Sequence, residues 1–68
     1  MDEQRVLPED RLWTVADAAY YLAIPVQTLY GWRGQGVGPP ARRVGRRLRY
    51  RAEDVKAWVA ALSTEVAS

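Results

Sequence analysis

A single proline constrains this chain more than any other residue. Pro25 interrupts two short stretches of helical periodicity and forces a break between them. Upstream, Val15, Ala18, Ala19 and Leu22 recur at i, i+3, i+4 and i+7, the stripe of an amphipathic helix. Thr14 suits its N-cap, and Asp17 three residues later supplies a weaker form of the capping box at the positive helix end. Small Ala18 and Ala19 let another helix approach closely. Pro25 pushes Ile24 out of the α region, so this helix should stop near Ala23. Pro25 then opens a second helix, where its missing N–H costs nothing. Leu29 and Trp32 share that helix's inner face, which leaves Gln27, Thr28, Tyr30, Gly31 and Arg33 to the outer faces. Residues 34–40, with three glycines and two prolines, read as turn and extended linker. Two short helices across a three-residue break make a helix-turn-helix pattern.

Residues 41–51 add a second constraint. Leu48 and Tyr50 alternate with Arg47, Arg49 and Arg51, as in a half-buried strand. Opposite residues of a hairpin share a face, so Val44 joins Leu48 only across an odd-numbered loop. A three-residue loop over Gly45, Arg46 and Arg47 meets this condition, sets Arg42 across from Tyr50, and makes Val44, Leu48 and Tyr50 the inward positions. A two-residue Gly45-Arg46 turn suits glycine better but places Val44 against Arg47. The three-residue loop is the preferred expectation. It opposes Arg43 to Arg49, a destabilising pair of like charges that a bound anion would relieve. A third helix follows from about Ala52, with Glu53 and Asp54 in its first turn and a stripe of Val55, Trp58, Val59 and Leu62. Residues 1–11 read as a flexible lead-in, 12–62 as the folded domain and 63–68 as a polar tail.

Charge is sharply segregated. Residues 1–17 carry net −3, residues 18–51 hold seven arginines and no acid, and residues 52–68 carry net −2. Such a middle segment calls for an anionic partner. With neither cysteine nor histidine, the chain lacks thiolate nucleophiles, disulfides and the usual zinc ligands. A 68-residue domain buries only about 60% of its unfolded surface, which leaves little room for a dry catalytic pocket. No enzymatic activity and no cofactor are expected. The acidic N-terminus does not resemble a signal peptide, and no apolar run approaches the roughly 20 residues of a membrane span. A cytoplasmic protein without membrane contact is the expectation.

The fold class implied is mainly α with a small β-hairpin, a winged helix-turn-helix. Its second helix would enter a DNA major groove, about 12 Å wide, where every base pair shows a distinct donor and acceptor pattern. On it, Gln27 suits adenine, Thr28 a thymine methyl or a phosphate, and Arg33 guanine or phosphate. Tyr30 would either bond a phosphate or lie over the core edge. Gly31 would either admit the DNA backbone or mark a loosened helix. At the wing, Arg46 and Arg47 reach a minor groove or its phosphates, with Arg43 and Arg49 beside them. Trp13, Trp32, Trp58 and Tyr50 read as core, with Leu29 and Ala19 in the same cluster. Tyr20 and Tyr21 either cover the first helix's flank or touch DNA.

The runs at 12–24 (LWTVADAAYYLAI), 28–32 (TLYGW), 43–51 (RVGRRLRYR) and 53–58 (EDVKAW) resemble the excisionase and AlpA-like family of small MerR-type winged helix-turn-helix proteins. The resemblance spans roughly residues 12–62. It implies a sequence-specific binder of double-stranded DNA in a bacterial cell, associated with the nucleoid when bound. The family includes excisionases, which bend attachment-site DNA and steer a tyrosine or serine integrase, and small transcriptional regulators of mobile elements. Pro25 stands where many relatives carry a polar N-cap, and Gly31 where they carry a basic residue. One small domain has a small footprint, so self-association of copies on adjacent sites is expected. A reading from another class is a protein-interaction module whose arginine face meets an acidic protein.

Overall fold

The computed structural model describes residues 6–62. Residues 1–5 and the polar tail at 63–68 lie outside the described residues. The elements run α1 (Val15–Leu22), α2 (Val26–Gln35), β1 (Arg42–Val44), β2 (Arg47–Arg49) and α3 (Ala52–Ala60). Three helices and a two-stranded antiparallel hairpin make the winged helix-turn-helix class expected from the pattern.

Local chemistry starts and stops the helices. The Thr14 hydroxyl accepts the Asp17 N–H at 3.0 Å, and Asp17 Oδ2 accepts the Thr14 N–H at 3.0 Å, a complete capping box. At the far end Ala23 takes a left-handed φ of 60°, and the Ile24 N–H reaches back to the Ala19 carbonyl at 3.1 Å. Pro25 is the N-cap of α2, one position before its first helical residue, and its carbonyl accepts the Thr28 N–H at 3.0 Å. The linker expected from residue 34 begins later. Helix α2 runs through Gly34 to Gln35 and ends at Gly36. Its two interior glycines, Gly31 and Gly34, cost a helix about 1 kcal/mol each, which packing absorbs; the prolines that forbid a helix come at 39 and 40.

The core is Trp13, Val15, Ala18, Ala19, Leu29, Tyr50 and Val55. Trp13 and Tyr50 also exchange backbone hydrogen bonds (2.8 and 2.9 Å), so the chain entering α1 pairs with the strand leaving the wing. The Trp13 Nε1–H donates to the Pro8 carbonyl at 2.9 Å, and Leu7 packs on the core. This end of the expected lead-in is therefore held against the domain. Trp32 packs half-buried against the core, and its ring lies 5.6 Å from the half-buried Trp58. The α3 stripe is buried only in its first half. Val55 is fully buried, while Val59 is exposed at the end of the helix and Leu62, expected on the same stripe, lies beyond the helix end at Ala60 and is exposed.

The hairpin register corrects the three-residue loop. The pairs are Arg42 with Arg49, Arg43 with Leu48 and Val44 with Arg47, across a two-residue Gly45-Arg46 turn. Gly45 has φ 64°, the left-handed geometry that short hairpin turns demand and glycine supplies at no steric cost. Turn chemistry outweighed the burial of Val44, which is 52% exposed. Of the expected inward residues, Tyr50 is buried, Leu48 is half-buried and Val44 is not inward at all.

Candidate nucleic-acid interface

Helix α2 carries five of the expected contact residues. Gln27, Tyr30, Gly31 and Arg33 are exposed, and Thr28 is half-buried. At Gly31 nothing lies within 4 Å of the position a Cβ would occupy. The protein's own packing therefore does not require glycine there. The stripe expected to face inward behaves so at Leu29, 1% exposed, and less completely at Trp32.

A groove of about 660 Å³ runs beside this helix. It is lined by Thr14, Val15 and Ala16 at the N-terminal turn of α1, by Tyr30 of α2, and by Arg43, Arg46, Arg47, Leu48 and Arg49 of the wing. The fold thus gathers five of the nine expected residues around one cleft with no acidic residue in its lining. Four guanidiniums make the groove cationic, while at the α1 end the Asp17 carboxylate of the capping box offsets the positive helix terminus. The side of the cleft formed by α1 was not read from the sequence. The capping box located that helix start, but no local signal said that the wing would lie opposite.

Arg33 faces elsewhere. With Trp32, Tyr50 and the linker Gly36–Ala41 it lines a second cleft of about 240 Å³. Tyr50 lines this second cleft. Burial raises the pKa of its hydroxyl above the ordinary value of 10.0; the positive charge of Arg33 opposes that rise, and Tyr30 adds to it. Tyr30 and Arg33 therefore both stand near one core tyrosine, one at each cleft.

The expected Arg43–Arg49 opposition does not occur. The like-charge pair across the ladder is Arg42 and Arg49. Arg49 folds back to donate from Nη1 to the Leu48 carbonyl at 2.8 Å. Arg42 lies 3.6 Å from Asp54 of α3. Of the unsettled tyrosines, Tyr21 sits with its ring 5.2 Å from Trp13, covering the flank of α1, and Tyr20 is exposed.

Among the described residues no cluster of three or more acids, histidines or cysteines could hold a metal ion, and no helix is long and apolar enough to cross a membrane. A basic cleft beside an exposed helix is an arrangement suited to a polyanion of regular shape. No match was found among curated proteins. A family model described as a helix-turn-helix domain matches residues 14–63, well over half of the chain and the whole span from the capping box through α3. The architecture and this match agree: the chain belongs to the helix-turn-helix domain family, which supports binding to double-stranded DNA.

Proposed function

We propose that this protein reads DNA as an excisionase-like factor, with α2 in the major groove and the wing on the flanking backbone. The observation that carries the DNA geometry is the acid-free cleft lined by the N-terminal turn of α1, the four wing arginines and Tyr30 of α2. In this reading Gln27 and Thr28 contact base edges, Gly31 admits close approach, and Tyr30 together with Arg43, Arg46, Arg47 and Arg49 holds phosphates. Arg33, at the far cleft, reaches the backbone on the other side of the helix. The excisionase role is supported by the resemblance across residues 12–62. It makes the partners an attachment-site duplex, an integrase and neighbouring copies of the same chain.

Each arginine that neutralises a phosphate contributes about −0.9 to the slope of log K against log salt. Arg46 and Arg47 are exposed, so Arg46→Ala/Arg47→Ala should keep the melting temperature while flattening that slope by about one to two units. Titrations at three salt concentrations test this, and an unchanged slope removes the wing from the interface. A recombination assay with the integrase of the same element tests the finer role. Stimulated excision supports it, whereas DNA binding with no effect on recombination leaves the protein a small transcriptional regulator.

A further inference from the structure

Six of the seven arginines in residues 18–51 fall within 42–51 and suggest a wing wholly devoted to an anionic partner. The structure divides them. Arg42 Nη2 lies 3.6 Å from Asp54 Oδ2, and Arg51 Nη1 lies 3.8 Å from Asp54 Oδ1. Arg51 Nε also stands 3.9 Å from Glu53 Oε1. Asp54 Oδ2 is shielded from solvent and has no hydrogen-bond partner among the described residues, so the nearby Arg42 charge is what compensates it. The pairing also answers the opposition of Arg42 and Arg49 across the ladder, which would otherwise need a bound anion.

The location gives this ion pair a task. Two strands of three residues make a ribbon that is marginal by itself. Strand β2 is tied to the core by Leu48 and by the backbone bridge of Tyr50 to Trp13. Strand β1 is exposed at all three of its residues; Ala41 just before it packs on the core, and of the strand's own side chains Arg42 reaches the body, at Asp54. We propose that Asp54 is a positioning residue: it clamps the base of the wing through Arg42 and withholds Arg42 and Arg51 from the nucleic acid. The wing arginines left for phosphate are then Arg43, Arg46, Arg47 and Arg49, with Arg33 of α2 apart from them. This inference rests on the DNA-binding reading above for its functional consequence, although the clamp itself does not.

Two variants test it, Asp54→Asn and Arg42→Gln. Arg42 is exposed, so its variant folds even if loss of the α3 first-turn acid proves damaging. In the DNA-free protein, hydrogen exchange of the wing amides over 42–49 should quicken about two- to five-fold in each, the range a partly exposed ion pair supports, with α1 and α2 unaffected. On duplex DNA, Asp54→Asn should weaken binding by about two- to five-fold, although the removal of a negative charge alone would strengthen it. Arg42→Gln should leave the salt slope unchanged, whereas a phosphate contact would flatten it by about 0.9. Unaltered wing exchange, a rise in the affinity of Asp54→Asn, or a flattened slope for Arg42→Gln each overturns the proposal. A wild-type protein that shows no salt-dependent duplex binding would instead overturn the DNA reading, and the exchange measurement would still decide whether the clamp exists.

Discussion

Substituting Gly31 separates stability from recognition by the sign of two effects. The residue lies in the middle of α2, exposed, with no atom within 4 Å of where a Cβ would stand. Alanine is favoured over glycine in a helix interior by about 0.8–1 kcal/mol, chiefly because glycine loses more backbone freedom on folding. With no clash to offset this gain, Gly31→Ala should stabilise the domain by nearly that amount. For a chain of this size that corresponds to a rise of about 4–8 °C in melting temperature. Against DNA the same methyl group is an intrusion. A methyl forced into a close-packed contact costs about 1–3 kcal/mol, so duplex affinity should fall by at least about five-fold. Thermal unfolding followed by circular dichroism, with anisotropy titrations on one duplex, measures both. A variant that melts higher and binds equally well would take Gly31 out of the interface. A variant that melts lower would refute the helical backbone and open surroundings from which the gain was worked out.

Three further outcomes follow from the geometry. Gly38 has φ 90°, and a Cβ there would stand 2.9 Å from Cε3 of Trp32; Gly38→Ala should cost about 2–4 kcal/mol in urea unfolding, from backbone strain and the clash together. Ala23 holds a left-handed φ of 60° at the end of α1, so Ala23→Gly should relieve strain and raise stability by up to about 1 kcal/mol in the same assay. Tyr50, whose pKa burial raises above 10.0, contributes stability that is complete below pH 10. As pH climbs past 10 the unfolded chain ionises first and that stability is lost, so wild type should lose stability relative to Tyr50→Phe in alkaline unfolding curves.

The elements legible in the sequence are those set by interactions within about four residues. Thr14 and Asp17 form their capping box wherever the helix sits, and Pro25 forces its break whatever surrounds it. Periodicity likewise placed Leu29 and Val55 inside, and the charge pattern put the arginines on one segment. The hairpin register was different. Alternation favoured burying Val44, glycine favoured a two-residue turn, and the choice depended on how far the wing projects beyond the body. Because it projects past the core, Val44 had no apolar partner to gain and the turn prevailed. The same limit explains α3, where the stripe is regular in sequence but the core ends before Val59 and the helix before Leu62.

Tertiary structure alone decided what each arginine faces. A sequence carries their number and sign, and long-range Coulomb attraction to a polyanion follows from those two quantities. Partnership is a matter of ångströms. Arg42 meets Asp54 because the wing and the first turn of α3 converge beside Tyr50, and Arg33 turns to the linker cleft because α2 rotates to bury Leu29. The cationic groove needed the start of α1 and the wing, about thirty residues apart in sequence, to face one another. The Trp13–Tyr50 backbone bridge brings them together. No local propensity encodes that pairing. It accompanies the burial of both Trp13 and Tyr50 in the one small core, two of its largest fully buried side chains.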